Sequence, residues 1–262
     1  MSVHFAGTTA LVTGASSGLG AEFARVLAAR GADLVLVARR LDRLEALARE
    51  LETRHGITAR ILAADLGEPA AWARVRAFTD AEGVRVSTLV NNAGFATYGA
   101  LAETDPGRAD EEVRLNVGAL TALTRLYLPD LMSEGRGALV NVASTAAFQP
   151  VPSMAVYGAT KAYVRSFTAA VAWETRATGL RVTALCPGAT KTEFFDVVGS
   201  EDAKVGRYQS AEQVVRRAMR ALDARRTPPV VVSGVANRVG AVLGRLAPER
   251  VGLPLTEALM GR

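Results

Sequence analysis

One pattern restricts what this chain can fold into more than any other: short apolar runs alternate with longer stretches of helical spacing from one end to the other. The runs are TALVTG (9–14), DLVLVA (33–38), ARILAAD (59–65), STLVNNA (87–93), GALVNVAS (137–144), LRVTALCP (180–187) and PPVVVSG (228–234). Little polar alternation occurs inside them, which is the pattern of parallel strands covered on both faces. Helical spacing fills 18–29, 41–54, 69–81, 110–132, 155–177 and 211–224. Strand–helix alternation with right-handed crossovers predicts an α/β fold, a doubly wound parallel sheet of about seven strands with helices on both faces. No repeat, linker or low-complexity tract interrupts the pattern, so residues 1–262 are expected to form one domain.

Several function classes drop out early. Cys186 is the sole cysteine, which excludes an intrachain disulfide, and with only His4 and His55 beside it no metal cluster is expected. The net charge of +5 comes from scattered arginines rather than a basic block interleaved with aromatics, so no nucleic-acid partner is expected. The opening residues lack a basic segment followed by a long apolar core, and no unbroken run of ~18 apolar residues occurs. A soluble, cytoplasmic chain without a transmembrane segment is the expectation.

Chemistry gathers at the ends of the apolar runs. The first leads into TGASSGLG (13–20), where Gly14, Gly18 and Gly20 let backbone approach a pyrophosphate seated on the following helix N-terminus. A tight strand–helix turn could use glycines for geometry alone, but the place after the first strand favours the nucleotide. Eighteen residues beyond Gly20 the second run ends in VARR, with Ala38 where a ribose-binding acid often stands. Arg39 then suits a 2′-phosphate, which a guanidinium fork grips and a hydroxyl does not reward. Arg40 by itself reads more simply as part of a solvated basic turn. Asp65 either accepts from an adenine amino group or caps the next turn. In NNAG (91–94) one asparagine is open to a purely structural reading, as a tether between neighbouring loops.

Tyr157 and Lys161 stand four residues apart in VYGATKAY (156–163), on one face of a helix. Of 31 basic residues only Lys161, Lys191 and Lys204 are lysines, so the pairing is unlike an accident of composition. Opposite charges ~4 Å apart at an effective dielectric of ~20 attract by about 4 kcal/mol. That could bring a tyrosine hydroxyl from about 10 to roughly 7, with desolvation of the phenolate opposing it.

Together, TGASSGLG, NNAG, Asn116 in RLNVGAL, Ser144 in NVAS, YGATK and PGATKT resemble the short-chain dehydrogenase/reductase family, in that family's order over residues 8–192. The resemblance implies a Rossmann-type sheet of order 3-2-1-4-5-6-7, a nicotinamide cofactor and, commonly, a homodimer or homotetramer. It implies a catalytic tetrad of Asn116, Ser144, Tyr157 and Lys161. Tyr157 would be the general acid or base, Ser144 would bind the substrate oxygen, and Lys161 would hold the nicotinamide ribose. Asn116 would hold a proton-relay water, against the alternative of a helix asparagine bonded to backbone. Cofactor contacts are implied at Ser16, Ser17, Leu19, Leu66, Asn92, Ala93, Gly94, Tyr157, Lys161, Pro187, Gly188, Thr190 and Thr192, besides the glycines of the first turn, Arg39, Arg40 and Asp65. The function expected is NADP(H)-dependent interconversion of a carbonyl and an alcohol, NADP(H) being preferred over NAD(H). An NADP-binding sensor or scaffold with little turnover is the alternative, which has no need of a Tyr–Lys pair.

Substrate choice is expected in 95–101, 148–154 and 193–208, the last of these within a substrate loop at 189–208. Phe95, Phe148, Phe194 and Phe195 would form an apolar rim or pack in the core. Apolar small-molecule carbonyls fit better than anionic ones. The tail 235–262 reads as a helical extension with Val235, Val239, Val242, Leu243 and Leu246 on one face, serving as lid, subunit contact or membrane-surface helix.

Overall fold

The computed structural model describes residues 3–194 and 208–259. Seven strands, β1 (Thr9–Thr13), β2 (Asp33–Ala38), β3 (Ala59–Ala63), β4 (Val86–Asn91), β5 (Ala138–Val142), β6 (Arg181–Cys186) and β7 (Val230–Val232), form one sheet. Its order is β3-β2-β1-β4-β5-β6-β7, parallel throughout, the order that the family resemblance implies. β1 lies between β2 and β4, so chain connections leave it in opposite directions. The crevice at that switch point is where open α/β sheets bind ligands.

Apolar runs without alternation arise because both faces are covered. On one face Val12, Leu34 and Leu36 pack with Phe23 and Leu27 of α1 (Gly18–Ala29), Leu44 and Leu51 of α2 (Leu41–His55), and Met219. On the other, Leu11, Val35 and Val37 pack with Val75 of α3 (Pro69–Ala81) and with Leu123 and Tyr127. A strand with period 2 feeds both cores at once.

The helix expected over 110–132 differs in both start and form. It opens as α4 (Pro106–Val113), where Asp105 caps the first turn by accepting from Arg108 N at 2.9 Å and Pro106 takes the position that needs no N–H. A π-helical turn, Arg114–Ala119, follows, and α5 (Leu120–Glu134) continues it. An apolar pattern read at 3.6 residues per turn does not register the extra residue of a π turn. The remaining helices are α6 (Ala155–Glu174), α7 (Ala211–Leu222), α8 (Val235–Leu246) and α9 (Glu249–Leu259).

The tail is helical as expected. Its apolar face is exposed from Val235 to Leu246, while Ala241 is buried. No helix among the described residues is long and apolar enough to cross a membrane. Phe195, and with it 195–207 of the expected substrate loop, lies outside the described residues.

Candidate active site

The turn leaving β1 is laced to the end of β4. Thr13 Oγ1 accepts from Asn92 N (2.9 Å) and Ala93 N (3.0 Å), and Asn92 Nδ2 donates to Thr13 O (3.0 Å). Gly14 and Gly18 take φ of 64° and 54°, the left-handed region that glycine enters without strain. Ser17, the N-cap of α1, makes no side-chain cap, and no acid stands in that helix's first turn. Uncapped N–H groups at an unopposed positive helix end suit a pyrophosphate. Asn91 is the structural asparagine: its Nδ2 donates to Thr124 Oγ1 (3.0 Å) and Asn141 Oδ1 (2.9 Å).

A cavity of about 320 Å³ runs along this edge of the sheet. Gly14, Ser16, Ser17, Gly18 and Leu19 form its floor, and Arg39, Arg40, Asp65 and Leu66 its far end. Asn92, Ala93 and Gly94 line the middle, and Pro187, Thr190 and Thr192 border it near Tyr157 and Lys161. Gly20 and Gly188 are not on its wall. A Cβ on Gly20 would meet Gly14 O at 2.2 Å, and one on Gly188 would meet Asn237 Nδ2 at 2.4 Å, so both glycines serve packing. Asp65 uses Oδ1 to accept from Gly67 N at 2.9 Å, which is the turn-capping reading. Arg40 departs from the solvated turn expected of it by donating to Ser16 and Glu193.

At the other end, Ser144 starts a short 3₁₀ turn, its Oγ accepting from Ala146 N at 3.1 Å. Tyr157 and Lys161, one helical turn apart on α6, are both buried. The expected drop of the tyrosine toward 7 is not found. Burial pushes the Tyr157 hydroxyl up to about 12, against a hydrogen bond with Ser144 that favours the phenolate. The Lys161 ammonium donates to Val142 O at 3.0 Å and stands 5.7 Å from the Tyr157 ring centroid. Its own burial pushes it down to about 8, against the charge of Glu112. Desolvation is the largest influence on each group, because both are out of water.

Asn116 sits in the π turn with its side chain fully engaged. Oδ1 accepts from Phe95 N (3.1 Å), and Nδ2 donates to Phe95 O (2.9 Å) and Thr160 Oγ1 (3.1 Å). This is a backbone-bonding asparagine, but one that holds a loop 21 residues away rather than its own helix. Four residues earlier, Glu112 is wholly buried and accepts from Thr97 N (3.0 Å) and Thr97 Oγ1 (2.6 Å). Burial raises its pKa, against those two hydrogen bonds and the charges of Lys161 and Arg108. The sequence reading missed Glu112. Its signal was available in the i, i+4 spacing to Asn116, which places both on the side that clasps 95–97.

The expected aromatic rim divides. Phe194 stacks obliquely on Tyr157 with centroids 5.7 Å apart, and Phe95 lines the cavity beneath the Arg108 guanidinium at 4.2 Å. Phe148 instead packs against the Leu120–Val164–Cys186 cluster under Arg165, as core. Ala96, Val151, Met154 and Tyr98 complete an apolar wall around Tyr157.

Known proteins resemble this chain in sequence and fold. The short chain dehydrogenase family profile matches residues 8–203. Sulfoacetaldehyde reductase of Chromohalobacter salexigens is 40% identical over 218 residues, 81% of this chain and 82% of that protein. A short-chain dehydrogenase from Sphingobium yanoikuyae, solved in complex with NADPH, superposes with a TM-score of 0.81 at 36% identity, over 95% of each chain. A 7β-hydroxysteroid dehydrogenase structure gives 0.85 at 26% identity, over 98% of this chain and all of that one.

Proposed function

The chain belongs to the short-chain dehydrogenase/reductase family of oxidoreductases, and from that premise we propose that it is an NADP(H)-dependent enzyme interconverting an alcohol with a ketone or aldehyde. One observation carries the reading. Tyr157 and Lys161 line one end of a single cavity, with Ser144 beside Tyr157, and arginines line the other end. A bound nicotinamide cofactor would supply or accept the hydride, and the glycine turn, Asn92–Gly94 and Thr190–Thr192 would hold it.

The chain's own residues handle the proton. With its hydroxyl at about 12, Tyr157 is protonated at neutral pH and ready to donate to a carbonyl oxygen. Ser144 offers that oxygen a second hydrogen bond as negative charge develops on it. The Lys161 ammonium then stabilises the phenolate left behind. The apolar wall of Ala96, Val151, Met154 and Phe194 supports an uncharged, apolar carbonyl substrate.

A panel of carbonyls and alcohols followed by NADPH absorbance tests this. Carbonyl reduction should be independent of pH below about 8 and fall above it, as Lys161 loses its proton. Alcohol oxidation should climb with pH toward about 12, because it needs Tyr157 deprotonated. NADPH binding without turnover of any panel member would leave the sensor or scaffold reading in its place.

Cofactor preference has its own test. If Arg39 helps grip the 2′-phosphate, one charge-assisted hydrogen bond of ~1.5–3 kcal/mol gives NADPH roughly a 10- to 150-fold advantage over NADH. Ala38→Asp with Arg39→Leu should reverse it, since a carboxylate accepts from the ribose hydroxyl and repels phosphate. Fluorescence titration of both cofactors reads the outcome, and equal parent affinities would remove Arg39 from the argument.

A further inference from the structure

The arginines at the adenosine end already have an anion. Arg40 donates through Nε and Nη2 to Ser16 Oγ (3.3 and 3.1 Å) and through Nη1 to Glu193 Oε2 (2.8 Å). Arg43, one turn into α2, donates through Nη1 to Glu193 Oε1 (2.5 Å). Hydrogen bonds from Arg43 and Arg40 hold the Glu193 carboxyl below the usual carboxylate range. Arg39 is turned toward Asp65 (3.7 Å) and Glu111 (4.0 Å). Glu111 is also held by Arg108 at 2.9 Å, so Glu193 is the carboxylate that Arg40 and Arg43 share before any ligand arrives.

Glu193 reaches this place from the far side of the cavity. Its neighbour Thr192 lies over Gly18, with Cγ2 3.0 Å from where a Cβ on that glycine would stand. Its other neighbour, Phe194, packs on Tyr157. The segment therefore crosses the cavity mouth, and its carboxylate spreads two oxygens between two guanidinium groups. A phosphate bound by a pair of arginines presents the same geometry.

We infer that Glu193 is a cofactor-specificity residue: it occupies Arg40 and Arg43 as an internal anion that a ribose 2′-phosphate must displace, so both arginines join Arg39 in holding that phosphate. The inference rests on the NADP(H) reading above and adds what sets the strength of the preference. A 2′-phosphate carries the charge to displace a carboxylate. A 2′-hydroxyl does not, so a cofactor lacking the phosphate leaves the ion pairs intact and neither gains nor loses by them. Glu193 consequently weakens the phosphorylated ligand alone.

Adenosine 2′,5′-bisphosphate and adenosine 5′-monophosphate differ only in the 2′-phosphate, and both can be titrated calorimetrically against the full chain. E193Q should bind the bisphosphate roughly three- to tenfold more tightly than the parent, the scale for releasing two exposed ion pairs, and leave the monophosphate unchanged. Arg43→Ala should weaken the bisphosphate, and in the double variant the gain from E193Q should shrink. An affinity ratio between the two ligands that E193Q leaves at the parent value overturns the inference. A parent that binds both ligands equally would count against the NADP(H) reading. If E193Q then creates a preference, the Glu193 inference stands without that reading. If no variant shows one, both fall.

Discussion

Tyr157→Phe is expected to lower turnover at least ~100-fold, the usual scale for losing a general acid, while NADPH binding persists. The substitution suits the site. Tyr157 is buried, its ring packs against Phe194, and phenylalanine keeps that contact while removing one oxygen. Ser144 keeps its bond from Ala146 N, so the 3₁₀ turn it caps has no reason to shift. A folding defect would show as lost cofactor binding, and a chemical defect would not. Single-turnover reduction with saturating NADPH separates the two. A variant that reduces a good substrate at the parent rate would strip Tyr157 of its role.

The second large effect comes from a residue that touches no ligand. Gly20→Ala would put a Cβ 2.2 Å from Gly14 O and 2.7 Å from Asn92 Nδ2, and the first of these is backbone. Overpacking usually costs about 1–3 kcal/mol, and a clash with a main-chain oxygen belongs at the upper end. Gly14 forms the cavity floor, so the displacement is passed to the cofactor site. We expect NADPH affinity to drop ~100-fold and Tm to fall by roughly 5–10 °C. Gly240→Ala is the control: it lies within α8, and a Cβ there meets nothing within 4 Å. That variant should keep its affinity and gain up to ~1 kcal/mol in helix stability.

Strand positions were legible in the sequence because a strand buried on both faces must be apolar along its length. Which strand neighbours which came from the family resemblance, since crossover handedness by itself allows several orders. The glycine turn and the Tyr–Lys spacing were legible for a similar reason, each being short and local. The tyrosine's proton affinity was not. It depends on how completely two side chains leave water, and residue spacing carries no information about depth. Asn116 was visible as a residue, but its bonds go to Phe95, and contacts between distant segments are invisible to a local pattern. Glu193 was hidden for the same reason, since its arginines lie about 150 positions earlier.

The π turn at Arg114–Ala119 constrains how this chain could have changed over time. Removing one residue there would restore ordinary winding, and because a π turn spends its extra residue within one wide turn, the helix on either side would keep its phase while the residues inside the turn moved. Glu112 would stay against Thr97, whereas Asn116, inside the turn, would lose its hold on Phe95 and Thr160. A one-residue length change in this stretch therefore costs the clasp on Phe95, although point substitutions at its outward positions do not. Turns such as that around Gly83, where an added Cβ meets nothing within 4 Å, hold no such contact. Lineages descending from this chain should accumulate length differences in those outer turns, with the count of residues between Glu112 and α5 held fixed.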